Sequence, residues 1–381
     1  MLAAGSRYSL DAKAGKAFNS LQQFQNQHKD WIFGHLGYDL KMEVEDLASK
    51  LLDNVQFPDL HFFIPQILLI LKNDQLEIGA FSLEQVENTH SQLVNTSLSN
   101  HVTLNNISLK SRITKNEYIT TIEKLKAHIL KGDCYEINFC QEFYSENIAV
   151  DPYQTFQKLA ALSPNPFAAF YRYNDKYLMC ESPERYLKKE GQKIFSQPIK
   201  GTAKRNHDDL HQDNKNKQSL LTSIKELSEN VMITDLVRND LSKICTQGSV
   251  TVQELQGLYT FPHVHQMIST ITGNLATENI ADIFKATFPM GSMTGAPKKK
   301  VMQLIENYET SKRGLFSGSI GYFTPDNNFD FNVVIRSILY NQDTNYVSVS
   351  AGSAITINSD PLEEYDECLI KISAAATALN S

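Results

Sequence analysis

AAFYRYNDKYLMCESPERYLKKEGQKIFS, residues 168–196, is the stretch from which the fold is read. Four short runs rich in aromatic and aliphatic residues, 168–173, 176–180, 185–189 and 193–196, are separated by polar turns such as Asn174-Asp175. That spacing predicts an antiparallel meander. Upstream, Tyr118, Ile122, Leu125 and Ile129 recur at helical intervals until Gly132, which predicts a helix ending there. In 134–143 the alternation predicts a strand, with Tyr135, Ile137 and Phe139 on one face and Glu136, Asn138 and Cys140 on the other. Asp151-Pro152 has the order of an N-cap and a first-turn proline, opening a helix to Leu162. Downstream, one long polar helix is predicted from Asp213 towards Ser242, with Leu220, Ile224, Leu227 and Val231 as its apolar stripe. There follow a helix near 280–288, a Gly-rich turn, a helix from Pro297, strands at 317–323, 330–340 and 346–351, and a last helix opened by Asp360-Pro361. Helices and antiparallel strands without regular βαβ units make the class α+β.

The 381 residues carry 36 Lys plus Arg against 43 Asp plus Glu, a net charge of −7 that argues against a general nucleic-acid binder. With 41% hydrophobic and 21% charged residues the chain can bury a core. The strongest apolar stretch, 62–71, is interrupted by Pro65 and Gln66 and is far short of a membrane span. The first residues lack the apolar core of a signal peptide, so a cytoplasmic location is expected. The five cysteines are scattered in neither disulfide nor zinc spacing and read as buried free thiols. An Asn- and Ser-rich segment at 95–108 reads as a loop or linker. It separates a first part, 1–110, from 111–381, with the whole read as one structural domain.

Three places carry possible chemistry. Glu226 and Glu229 lie three apart on one predicted helix and Glu364 and Glu367 on another, so each pair shares a helix face, with Lys371 on the face of the second. Such faces meeting in a cleft offer oxygen ligands to Mg²⁺, although glutamates at this spacing are also ordinary on surfaces. QPIKGTAKR, 197–205, contains Lys200, a nucleophile if burial removes its proton and a surface lysine otherwise. Glu184, sixteen residues upstream, is a candidate acid or base. FPMGSMTGAPKKK, 288–300, places Gly291, Ser292, Thr294 and Gly295 ahead of a helix, where N–H groups suit a carboxylate or phosphate. It has neither the Walker nor the GxGxxG pattern of nucleotide binders.

GDCYEINF, SPERYL, QPIKGT, ENVMITDLVRNDL, FPMGSMTGAPK, GSIGYF, VVIRS and SDPLEEYDECLIK, in this order, resemble the chorismate-utilising enzymes over about residue 113 to the C-terminus, most closely the aminodeoxychorismate synthase component I group. FGHLGYDL, 33–40, is the main match in the N-terminal third. The resemblance implies a single large domain of layered antiparallel sheets flanked by helices around one Mg²⁺-chorismate site. It assigns the metal to Glu229 and Glu367, with Glu226 and Glu364 close behind or bridging through water. It assigns substrate carboxylates to Arg336, Lys371 and backbone near Gly352. In this group the lysine matching Lys200 attacks ring carbon 2 and expels the 4-hydroxyl before ammonia displaces it, with Glu184 handling protons. Anthranilate synthases usually carry Ala at that position and Thr at that of Ser292. Isochorismate and salicylate synthases carry a water-activating lysine where Glu136 stands. The implied product is 4-amino-4-deoxychorismate, a precursor of 4-aminobenzoate and folate.

Departures from the family pattern keep two alternatives open. Gln266 replaces a histidine placed near the leaving group, and the orientation of the adjacent His265 is undecided. Ala354 replaces a glycine in the AGAG run, and Phe316 occupies a position often held by Tyr in anthranilate synthases. The alternatives are anthranilate synthase component I and a chorismate-binding homologue without turnover. No glutaminase nucleophile turn is recognised in the chain, so ammonia is expected from solution or from a separate glutamine amidotransferase.

Overall fold

The computed structural model describes residues 1–96 and 107–380. Its described strands form sheets of ten, seven and three strands, and every pair within them is antiparallel. The ten-stranded sheet runs in the order Ile199–Lys204, Val264–Asn274, Lys193–Gln197, Arg185–Glu190, Phe329–Asn332, Ser319–Phe323, Ile32–Leu36, Leu60–Ile64 and Tyr8–Ala12, with Thr251–Thr260 also paired to Val264–Asn274. N-terminal strands thus complete a sheet begun by strands from Arg185 onward. The seven-stranded sheet runs Gly295–Ala296, Glu136–Ser145, Tyr346–Ile355, Ser337–Asn341, Lys176–Ser182 and Phe167–Tyr173, with Lys110–Ser111 also on Glu136–Ser145.

Two apolar cores follow from this layering. In one, aromatic residues of the larger sheet meet helices Ala17–Gln27 and Ile280–Thr287, as in the edge contact of Phe284 and Phe331 at 5.4 Å between ring centroids. In the other, Ile137 and Phe139 of the smaller sheet pack against helices Lys115–Leu130, Lys298–Tyr308 and Pro361–Asn380. Helix Lys115–Leu130 starts at a capping box between Thr114 and Glu117, which satisfies two N-terminal donors reciprocally. All five cysteines are buried and free. No helix among the described residues is long and apolar enough to cross a membrane.

Three expectations are corrected. Residues 168–196 form two hairpins rather than one meander: the first belongs to the seven-stranded sheet, the second to the ten-stranded sheet, and the chain changes sheets between Ser182 and Arg185. Residues 330–340 are likewise two strands, Phe329–Asn332 and Ser337–Asn341, one in each sheet. The helix expected from Asp213 to Ser242 is broken into Leu210–Thr222 and Ile224–Ser242 at Ser223, whose side chain caps the second by accepting from Glu226 N–H. Its expected apolar stripe is only partly inside: Leu220 is buried and Leu227 half-buried, but Ile224 is 81% exposed and Val231 42%. The buried face carries Glu229, Asn230, Ile233, Thr234, Val237 and Leu241 instead. Most of the loop expected at 95–108 lies outside the described residues, although Asn95 ends helix Leu83–Asn95.

Candidate active site

The two sheet crossings lie side by side. Val333 N–H donates to Glu184 C=O at 3.0 Å and Glu181 N–H to Arg336 C=O at 3.1 Å, so the first crossing presents Glu184 next to the second, which presents Arg336. Arg336 has a φ of 52°, a left-handed conformation that costs a non-glycine residue about 1–3 kcal/mol and is characteristic of functional positions. The change of sheet has a local cause. A regular strand would put successive side chains on opposite faces of one sheet, whereas the bend brings the Glu184 carboxyl to Ser292 and the Arg336 guanidinium to helix Pro361–Asn380.

Lys200 enters from the strand Ile199–Lys204, whose register against Val264–Asn274 shifts between Ile199 and Thr202. Irregularities of this kind re-aim a side chain. Gly201, at φ 93°, makes it possible, since a Cβ there would lie 2.9 Å from Leu220 and 3.1 Å from the Glu226 carboxylate. The Lys200 ammonium donates to Glu136 Oε1 at 2.7 Å, with the two residues 9% and 2% exposed. Glu136 comes from the smaller sheet, where the Gly-rich turn packs on its backbone: Gly295 has φ 146°, and a Cβ there would lie 2.1 Å from the Glu136 carbonyl. Asn138, on the same face two residues on, donates from Nδ2 to Ser292 C=O at 2.8 Å and from its backbone to Thr294 C=O at 2.8 Å.

Helices Ile224–Ser242 and Pro361–Asn380 supply the two glutamate pairs. Lys225 donates to Glu364 Oε1 at 2.7 Å, and Lys371 bridges Glu367 Oε1 at 2.6 Å and Gly352 C=O at 2.7 Å. Arg336 donates to Lys371 C=O at 3.4 Å. Glu226 interacts electrostatically with Glu367, Lys200 and Lys371, and Glu229 with Lys200, Glu136 and Glu226. The four glutamates and three lysines therefore form one network.

Burial sets most of the protonation states. It pushes the Glu229 carboxyl up to about 8, against the pull of Lys200 and with help from Glu136 and Glu226. It also raises Glu226, and brings Glu184 to about 7 against Ser292 and Lys200. Burial would raise Glu367 too, but the adjacent Lys371 prevails and holds it low. For Lys200 the expectation that burial removes the proton is reversed. Desolvation does lower it, yet Glu136, Glu229 and Glu184 outweigh that and raise it above the ordinary lysine value.

Glu229 Oε1 and Glu364 Oε2 are buried without a hydrogen-bond partner. Such orphaned carboxylate oxygens are costly unless a cation satisfies them. Hard oxygen donors from two facing helices fit Mg²⁺ better than a softer metal. Among the described residues no three acidic, His or Cys side chains are gathered at ligand spacing, and Lys225 and Lys371 each hold one glutamate of the last helix.

The other expected positions divide. Ser292 is buried in the turn beside Glu184. Gly352 and Ala354 lie on Tyr346–Ile355, opposite Cys140 and Asn138. Gln266 is buried with its amide oxygen unpartnered, opposite Thr202 on the strand of Lys200. His265 pairs with Asp213 at 3.2 Å and Thr260 at 2.9 Å, committing its imidazole to helix Leu210–Thr222. Phe316 is buried in the larger core. Three participants were not anticipated as such: Glu136 as the partner of Lys200, Lys225 as the partner of Glu364, and Asn138 as the fastener of the Gly-rich turn. Alternation in 134–143 had already put Glu136 and Asn138 on one face, the signal that could have identified both.

The model of chorismate binding enzymes matches residues 3–377 of the chain. An anthranilate synthase component I-like protein of Synechocystis sp. is 33% identical over 359 residues, covering 92% of this chain and 73% of that protein. Aminodeoxychorismate synthase component 1 of Klebsiella aerogenes is 33% identical over 367 residues, covering 95% and 80%. Among solved structures, anthranilate synthase component I from Streptococcus pneumoniae is similar with a TM-score of 0.87 at 24% identity, over 98% of this chain and 91% of that one.

Proposed function

The chain belongs to the chorismate binding enzyme family, and from that premise we propose that it aminates chorismate at ring carbon 4, as an aminodeoxychorismate synthase component I does. The observation that carries this reading is the buried Lys200 in the glutamate network, since a lysine at this position marks the aminating branch in the resemblance drawn from QPIKGT. Arg336 and Lys371 are the cations for the substrate carboxylates, and the Arg336 fork suits a carboxylate in bidentate contact. A Mg²⁺ held by Glu229 and Glu367, backed by Glu226 and Glu364, would supply further positive charge for the anionic substrate. Such local cations let a chain of net charge −7 bind an anion.

Lys200 nitrogen bonds to ring carbon 2 while the two ring double bonds shift and the bond from carbon 4 to the hydroxyl oxygen breaks. Glu184 gives that oxygen its proton, so water leaves. Ammonia then bonds to carbon 4, the double bonds return, and the lysine departs as an amine. A separate glutamine amidotransferase is the proposed source of ammonia. The product formed from chorismate, ammonium and Mg²⁺ is the test: 4-amino-4-deoxychorismate is expected. Anthranilate with pyruvate would transfer the protein to the other branch, and saturable binding without product would make it a non-catalytic homologue.

Glu184 gives a pH prediction. Its carboxyl is held near 7, so the proton it must donate is present below that pH and lost above it. Amination is expected to decline as pH rises through about 7. In Glu184→Gln the decline should disappear and the rate at pH 6.5 should fall about a hundredfold. A variant that keeps the wild-type limb would assign the proton to another group.

A further inference from the structure

A lysine ammonium has no lone pair, so Lys200 must give up a proton before it can bond to carbon. The carboxylates that act on it are Glu136 from the smaller sheet, Glu229 from helix Ile224–Ser242 and Glu184 from the sheet crossing. Among the described residues, Glu136 is the one hydrogen-bonded to its nitrogen, at 2.7 Å. We propose that Glu136 is the base that takes the Lys200 proton, leaving Glu184 free to serve the leaving hydroxyl. This rests on the reading of Lys200 as the nucleophile.

The arrangement supports that division of labour in three ways. Both partners are buried, so a bound substrate that removes the last solvent raises the cost of two separated charges; moving one proton along the existing hydrogen bond turns the ion pair into a neutral amine and acid. Glu136 is held from both sides of its strand, by the pairing of Ala296 opposite it and by Arg313, which donates to Asn138 C=O at 2.8 Å two residues on. The acceptor therefore keeps its place while the lysine moves towards carbon. Finally, Gln266 cannot titrate where the family pattern has a histidine, and Glu136 brings a carboxylate to the same site from the opposite sheet.

The protons balance. Lys200 ammonium and Glu136 carboxylate become amine and carboxylic acid. The amine bonds to carbon 2 and becomes a secondary ammonium as Glu184 protonates the departing hydroxyl. Ammonia bonds to carbon 4 as an ammonium, which releases one proton to Glu184, while the liberated Lys200 amine recovers its proton from Glu136.

The experiment mixes wild type, Glu136→Gln and Glu136→Asp with chorismate and Mg²⁺ without ammonia, and follows the Lys200 adduct by intact-protein mass spectrometry from pH 6 to 8. Wild type should form it at a rate that falls above about pH 7 with the Glu184 proton and has no rising limb below it, because the Lys200 proton moves internally. Glu136→Gln should be roughly a hundredfold slower at pH 7, and its rate should climb with pH up to about 7 as solvent takes over and level off above it, where the Glu184 proton is lost. Glu136→Asp, which keeps a carboxylate, should recover part of the rate. A Glu136→Gln variant with the wild-type rate and profile would overturn the base while leaving the nucleophile intact. Wild type that makes 4-amino-4-deoxychorismate with no adduct would instead remove the lysine nucleophile, and the base with it.

Discussion

Lys200→Ala is expected to abolish amination, with a loss on the order of 10⁴-fold or more, about 5.5 kcal/mol of transition-state stabilisation. Arg336, Lys371 and the glutamates are untouched, so chorismate should still bind saturably, and the Lys200 adduct should vanish from the mass spectrum. The substitution also leaves Glu136 buried without its cation, and breaking a buried pair in this way costs about 3–5 kcal/mol. The two effects separate in Lys200→Ala/Glu136→Gln, where no uncompensated charge remains: most of the stability should return and none of the activity. Recovery of amination by that double variant would show that the single variant failed through misfolding. Full activity in Lys200→Ala would end the covalent route.

Periodicity located most elements of 115–196 and 280–380 but assigned no helix or strand to 1–96 and no strand to 199–274, and its other failures have physical causes. It assumes that the inward face of a helix is apolar, and on Ile224–Ser242 the inward face carries Glu229, Asn230 and Thr234 because it lines a polar site. The break at Ser223 was present as Ser-x-x-Glu, the capping pattern, but lay hidden inside an uninterrupted helical pattern. Alternation also cannot say which sheet a strand joins, so both crossings, with Glu184 and Arg336 on them, read as continuous meander or strand. Site residues tied to quoted motifs were legible one by one. Pairings such as Lys200 with Glu136, 64 residues apart, are set by how the two sheets face each other.

A large effect on stability is also expected at Arg313, and the reason is the number of backbone groups that depend on it. Its guanidinium meets Glu309 Oε2 at 2.9 Å, Met293 C=O at 2.6 Å and Asn138 C=O at 2.8 Å, while the Glu309 carboxylate accepts Cys140 N–H at 2.9 Å. The pair is almost fully buried and joins the Gly-rich turn, the Glu136–Ser145 strand and the end of helix Lys298–Tyr308. Arg313→Met strands the Glu309 charge and removes the donors to both carbonyls, so unfolding free energy should drop by about 3–5 kcal/mol in a urea titration. An isolated buried pair could be replaced by two apolar residues at little cost. Here Arg313→Met/Glu309→Leu should recover only part of the loss, because Met293 C=O and Cys140 N–H lose their side-chain partners, at about 1–3 kcal/mol each. The same variant should slow amination out of proportion to its stability at low temperature, since the clamp holds Ser292 and Glu136 in register. Full recovery of both stability and rate in the apolar double variant would reduce Arg313 and Glu309 to a replaceable charge pair.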